Sequence, residues 1–262
     1  MKKYLISFAT SEFLDSQKKL IKSAKQFGID EAFSYSKREI IRTEFYARNK
    51  AILDCARGAG YWLWKPYCIL DAMARVNDGD LILYLDSGVD VINNLSPLFD
   101  LCVRQGGILL FRGHGNLNRV WIKRDCFVLM NCDFEEYWNA EQVSGAYGLY
   151  IKCDRVVKFL QEWLNYGCNP NIITDSANTC GLDNFPEFKD HRHDQAILSL
   201  LVVKYGIRGF RNPSQWGEPH KNDSRYAENT DSGSPYKTTF NHHREKTKPS
   251  FLRRLKNLVT GQ

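Results

Sequence analysis

Two rhythms of apolar and polar residues alternate along the first two-thirds of the chain. Short apolar runs predict strands at YLISFA (4–9), AFSYS (32–36), LILYL (81–85), GILLF (107–111) and VSGAYGLYIK (143–152). Between them the apolar spacing becomes helical. After Ser11, a plausible cap, Phe13, Leu20, Ile21, Ala24 and Phe27 share one face. Residues 40–58 predict a helix ended by Gly58, and 66–76 one with Pro66 in its first turn. Further helices are expected at 96–105, opened by Ser-Pro, at 154–167, capped by Asp154, and at 193–206, which is strongly apolar. Strands alternating with helices predict an α/β fold with a mixed, mainly parallel sheet in a single domain.

From Arg211 to Lys248 the rhythm stops, and Asn, Ser, Gly, Pro, His and charge take over, with Trp216, Tyr226, Tyr236 and Phe240 interspersed. The expected organisation is a domain over 1–212, an irregular segment over 213–248 that completes a site, and a tail over 249–262. In the tail, Leu252, Leu255, Leu258 and Val259 share a helical face among Arg253, Arg254 and Lys256. A basic amphipathic helix at 249–259 suits an anionic membrane surface, and equally suits packing back on its own domain.

Charge changes this picture little. The chain of 262 residues carries a net +6, and the stretch from Arg244 sets six basic residues against Glu245. The remainder is close to neutral, which argues against a nucleic-acid partner. The 8 cysteines are scattered without a CxxC, as expected for reduced thiols. MKKYLISFATSEFLD is broken by Ser7, Thr10 and Glu12, so it reads as a first strand rather than a signal peptide. No apolar run approaches the roughly 18 residues of a membrane span. A cytoplasmic protein, held at most at the inner membrane face, is the expectation.

The candidate chemistry lies where greasy elements meet polar residues. LILYL runs into Asp86, Ser87 and Gly88, with Asp90 beyond. Ligands of open α/β sheets bind outside the carboxyl ends of the strands, so Asp86 is placed to hold a metal or move a proton. Asp-Ser-Gly is also ordinary turn chemistry. GAGYWLWKP (58–66) sets Trp62, whose first reading is core packing, beside Lys65 at a helix start suited to phosphate. RVWIKRDCF (119–127) offers Trp121, Lys123 and Arg124 as a sugar or acceptor surface. FKDHRHDQAILSLL (188–201) leads His191, His193, Asp194 and Gln195 into a helix; the HxH pair has a ligand's spacing, and Asp194 is also a normal helix-start acid.

Together GYWLWKP, LYLDSG, W-x-K-R-D, RHDQAILSLL and the late HHR (242–244) resemble small bacterial and viral nucleotide-sugar glycosyltransferases of the GT-A fold, over roughly residues 4–245. HDQAIL resembles the Asp-Gln-x-x-Leu helix start of lipopolysaccharide galactosyltransferases and glycogenin-like enzymes. The resemblance implies transfer of a sugar from a nucleotide donor, UDP-linked first, to a glycan or lipid-linked acceptor in surface polysaccharide synthesis. It implies Mn2+ or Mg2+ on Asp86 with His242 or His243, and donor contacts from Thr10, Arg48, Lys65, Asp86, Ser87 and Gly88. Asp194 and Gln195 would be catalytic, as base in an inverting enzyme or charge stabiliser in a retaining one. Trp121, Lys123, Arg124 and His193 would face the sugar or acceptor. One departure matters: Gly88 stands where the DxD motif has its second aspartate.

Rival readings differ in detail. HRHD lacks the last histidine of a metallo-hydrolase HxHxDH run, and FATSEFLD lacks the glycine-rich loop of a sugar nucleotidyltransferase. A non-catalytic glycan-binding module predicts no dependence on Asp86 or Asp194.

Overall fold

A computed structural model describes residues 1–217 and 234–243. Among the described residues nine strands form: β1 (Lys3–Ala9), β2 (Glu31–Ser36), β3 (Leu81–Leu85), β4 (Val89–Val91), β5 (Ile108–Leu117), β6 (Glu141–Val143), β7 (Tyr147–Ile151), β8 (Gly209–Phe210) and β9 (Phe240–His242). The main sheet runs β2-β1-β3-β7-β5-β6, with β8 beside β5. It is parallel through β2-β1-β3 and at β5–β8, and antiparallel where β7 meets β3 and β5 and where β6 meets β5.

Five longer helices cover the two faces: α1 (Leu14–Gln26), α2 (Trp64–Met73), α3 (Ser96–Arg104), α4 (Asp154–Gly167) and α5 (His193–Lys204). Alternation along β3 explains the two cores. Leu81, Leu83 and Leu85 pack with Leu20 of α1 and Leu98 and Phe99 of α3. Ile82 and Tyr84 face the other way, against Ile69 of α2, Phe159 and Trp163 of α4, and Ile197 of α5. A strand covered on both faces must be apolar at every position, and β3 is.

Three elements differ from the sequence reading. The expected helix over 40–58 is two short pieces, Glu44–Arg48 and Lys50–Leu53, preceded by one turn at Lys37–Ile40. Polar side chains divide it: Thr43 Oγ1 takes the Tyr46 amide at 3.2 Å, and Asn49 Nδ2 donates to the Phe45 carbonyl at 2.9 Å. The expected strand 143–152 is two, β6 and β7, separated by Ser144–Ala146. The C-terminal segment is not wholly irregular, because β9 pairs antiparallel with β4, Val89 opposite His242 and Asp90 opposite Asn241. The tail helix expected at 249–259 lies outside the described residues, as do 218–233 and 244–248.

Candidate active site around a buried lysine

The site is built where β3, α2, α5 and the β6–β7 turn converge. β3 ends at Leu85, and the Asp86 amide is tied to the Ala146 carbonyl at 2.9 Å. This hands Asp86, about a third exposed, to the crevice beyond the strand ends. The Tyr84 hydroxyl donates to its Oδ1 at 2.5 Å.

Lys65 comes from the first turn of α2 and is only 3% exposed. Its ammonium lies 2.9 Å from Asp194 Oδ2 and 3.6 Å from Asp86 Oδ1, and donates to the Gly145 carbonyl at 2.6 Å. One buried cation thus joins two carboxylates that are 108 positions apart in the chain. Burial alone would lower the pKa of Lys65, but Asp194 and then Asp86 overturn this and hold it above its ordinary value. Asp194, on the first turn of α5, is pushed up to about 6 by burial, against the pull of Lys65.

Strain accompanies this geometry. Gly58, Ala59, Gly60, Tyr61 and Trp62 all have positive φ, at 57°, 51°, 102°, 51° and 59°. Ala59, Tyr61 and Trp62 each lose roughly 1–2 kcal/mol by adopting it. At Gly60 a Cβ would sit 2.6 Å from Leu53 Cα, and at Gly58 it would run into the Trp62 indole, so only glycine fits either place. The tight left-handed turn feeds directly into Lys65. His193, immediately before Asp194, also has φ 51°, with its ring against Trp62 and Tyr61. Such strain concentrates at functional sites.

A cavity of about 680 Å³ opens over these groups, lined by Lys65, Asp86, His193, Asp194, Gln195, His242 and His243 among others. Gln195 is oriented by its neighbours: its Nε2 donates to Gln142 Oε1 at 2.9 Å, and its Oε1 accepts from the Gly145 amide at 3.4 Å. β9 carries the two late histidines to the same cavity, with the His243 amide bonded to the Gly88 carbonyl at 3.0 Å.

Trp62 and His191 also line this cavity, whereas Thr10, Arg48, Ser87, Gly88, Trp121, Lys123 and Arg124 do not. Thr10 opens a 3-10 turn at the end of β1, where Phe8 stacks on Trp64 with centroids 3.9 Å apart. Arg48 is exposed and paired with Glu44 on its own helical turn. Ser87 is buried, and Gly88 contributes backbone pairing to His243.

In the 119–127 run the candidate side chains already have partners. Trp121 is covered by the Arg192 guanidinium at 4.1 Å and Lys189 at 5.8 Å. Lys123 donates to the Ser176 carbonyl at 2.8 Å, and Arg124 pairs with Asp133 at 2.9 Å while stacking on Phe185. The HxH pair is no chelate either. His191 Nε2 and His193 Nδ1 each lie 2.8 Å from a backbone carbonyl, of Ile172 and Ile173, and burial lowers both imidazoles toward neutrality.

The sequence reading missed Tyr84, Gly145 and Arg57. Tyr84, two residues before Asp86, carries the period-2 signal that would have found it. Gly145 and Arg57, which pairs with Asp175 at 3.2 Å and Asp190 at 2.6 Å, depend on tertiary contacts alone.

For a divalent cation the donor set is oxygen and imidazole, chemistry that Mn2+ accepts. It is sparse: Gly88 offers no side chain, and Asp90 Oδ1 turns to His243 Nε2 at 3.5 Å. Among the described residues, no three His, Cys, Asp or Glu side chains come together closely enough to hold an ion. Asp86 with one of His242 and His243 would hold a cation only where a bound ligand completes the shell.

No protein-family profile matches the sequence, and no curated protein sequence does. Solved structures match in shape. The WbbM bifunctional glycosyltransferase in its apo form aligns over 95% of this chain and 46% of its own, with a TM-score of 0.50 and 10% identity. Apo mouse xyloside xylosyltransferase 1 aligns over 95% and 100%, with a TM-score of 0.47 and 10% identity. A glycosyltransferase involved in glycosylation of the major capsid of PBCV-1 aligns over 99% and 100%, at 0.47 and 10%. The chain spans about half the length of WbbM. At such identities the likeness is one of fold, and the fold is GT-A-like: one domain, a mixed sheet, helices on both faces.

Proposed function

We propose that this chain is a glycosyltransferase that moves a sugar from a nucleotide-sugar donor, a UDP-sugar first, to a saccharide or glycolipid acceptor. The observation that carries the proposal is the Asp86–Lys65–Asp194 arrangement on the floor of the cavity. A buried ion pair of this kind is costly to assemble, and a strained turn beside it adds to the cost. An arrangement so unfavourable to folding belongs where charge must be set in advance of a reaction.

In this reading Asp86 receives the donor's diphosphate end. Mn2+ or Mg2+, held by Asp86 and His242 or His243 together with the donor, would supply neutralisation of the diphosphate charge. Asp194, predominantly a carboxylate above pH 6, faces the sugar carbon that gains positive character as its bond to the diphosphate breaks. Lys65 keeps Asp194 and Asp86 in register, and Gln195 frames the sugar beside them. The acceptor oxygen bonds to that carbon, the leaving diphosphate keeps the bonding electron pair, and the acceptor proton passes to a leaving phosphate oxygen. This is the retaining course.

Thermal-shift measurements with UDP, GDP, CMP and their common sugar conjugates, with and without Mn2+, test the reading. One nucleotide should raise the unfolding midpoint by mass action, more with Mn2+, and Asp86→Ala should lose the effect. No shift with any nucleotide sinks the proposal.

A further inference from the structure

The floor of the cavity is buried, but its mouth holds an exposed tryptophan. Trp216 is 48% exposed, and among the described residues it is the one large, strongly exposed hydrophobic side chain that also lines the cavity. A single exposed apolar residue is commonplace in itself. What sets Trp216 apart is how firmly its backbone is fixed at the rim. Its amide donates to Ser214 Oγ at 3.3 Å. The neighbouring Gln215 side chain clamps β9 twice, donating to the His242 carbonyl at 2.9 Å and accepting the His242 amide at 3.0 Å. On its other side, any Cβ at Gly217 would collide with the Asn212 carbonyl, so the chain turns there only as glycine.

We infer that Trp216 is a stacking platform for a pyranose ring of the acceptor at the mouth of this cavity. An indole presents a flat apolar face, which matches the C–H face of a pyranose. The hydroxyl edges then meet polar groups that line the same cavity, such as Asn116 and Arg192. The assignment to the acceptor rather than the donor follows from depth. Lys65 and Asp194 are 3% and 5% exposed, so the reacting carbon lies deep. A sugar that stays attached to a longer glycan must extend outward to the rim, where the exposed Trp216 stands. The inference rests on the glycosyl-transfer reading for its direction, but binding of the sugar is measurable without it.

The test uses methyl α- and β-glycosides of glucose, galactose, mannose and N-acetylglucosamine, titrated by calorimetry and saturation-transfer NMR. The proteins are wild type, Trp216→Ala and Trp216→Phe, and nucleotide binding is read in parallel. At least one glycoside should bind wild type, weaken roughly tenfold in Trp216→Ala and recover most of that in Trp216→Phe. Nucleotide binding and the unfolding midpoint should stay unchanged in both variants. Equal glycoside binding by wild type and Trp216→Ala overturns the inference, as does a wild type that binds none of the panel. Loss of nucleotide binding in Trp216→Ala overturns the assignment to the acceptor. Absence of nucleotide binding in wild type, with glycoside binding still dependent on Trp216, keeps the platform and rejects the transfer reading alone.

Discussion

A tyrosine, an aspartate and a basic side chain meet twice in this molecule, with different consequences. On the cavity floor the Tyr84 hydroxyl bonds Asp86, and Lys65 bridges Asp86 to Asp194. At the outer edge of the sheet the Tyr35 hydroxyl bonds Asp71 at 2.6 Å, and Arg75 pairs with that carboxylate at 2.6 Å. The second group lines its own cavity of about 310 Å³. Water separates the two cases. The Arg75 side chain is 55% exposed and Lys65 only 3%, so one ion pair is screened and the other is not. The outer pair also sits one turn apart on a single stretch of chain, and no left-handed backbone adjoins it. The inner group joins three distant segments across a strained turn. Similar groups interact without screening only where burial removes the water around them.

Replacing each cation by methionine breaks this comparison most sharply. Lys65→Met leaves Asp194 buried without its partner and should destabilise the fold by about 3–5 kcal/mol at neutral pH. The loss should shrink as the solution is acidified, because the stranded carboxyl then takes up a proton. Chemical denaturation at several pH values measures both effects. A Lys65→Met protein as stable as wild type at pH 8 would put the inner pair on a level with the outer one.

Asp194→Asn comes next, with activity as its main readout. On the proposed reading, in which Asp194 faces the reacting carbon, it should lower the transfer rate on the order of 100- to 1000-fold. In wild type the rate should fall as pH drops through about 6, where Asp194 takes a proton, and the variant should lack that limb. Stability moves the opposite way. The folded pKa is raised above the ordinary 3.8, so the folded state binds the proton more tightly than the unfolded one. Wild type should therefore gain stability relative to Asp194→Asn as pH falls from about 6 to about 4. A rate that is flat from pH 5 to 8 would remove Asp194 from the chemistry.

The parts of the fold that follow from period were legible in the sequence. β1, β3, α3, α4 and α5 fall where apolar spacing places them, and the polar residues at their ends, Asp86, Asp194 and Gln195, reach one cavity. What failed did so through side-chain competition with the backbone. Thr43 and Asn49 break the expected helix over 40–58 by bonding nearby main-chain groups, an outcome that apolar periodicity does not register. In the 119–127 run the structure shows contacts that composition does not register. Cations beside aromatics suit a sugar surface, but they equally suit the stacking of Arg124 on Phe185 and of Arg192 on Trp121. Composition does not tell an inward-facing cation from an outward-facing one. The link through Lys65 was half legible. A lysine at a helix start suggests an anion, but its two carboxylates come from segments 21 and 129 positions away, and only the closed fold brings them to it.

The smallest expected effect completes the comparison. Arg75→Met removes an exposed partner of Asp71, while Tyr35 still donates its hydroxyl to that carboxylate. The pair is one helical turn apart and open to solvent, so its loss should alter stability by roughly 1 kcal/mol or less. Added salt should leave the difference between variant and wild type smaller still, because screened charges contribute less as ionic strength rises. Nucleotide binding should be unaffected, since Arg75 does not line the larger cavity. The same denaturation and thermal-shift series used for Lys65→Met measures all three. If Arg75→Met instead lost several kcal/mol or abolished nucleotide binding, burial would not be what separates the two groups. The outer cavity would then have to be weighed as a second ligand site.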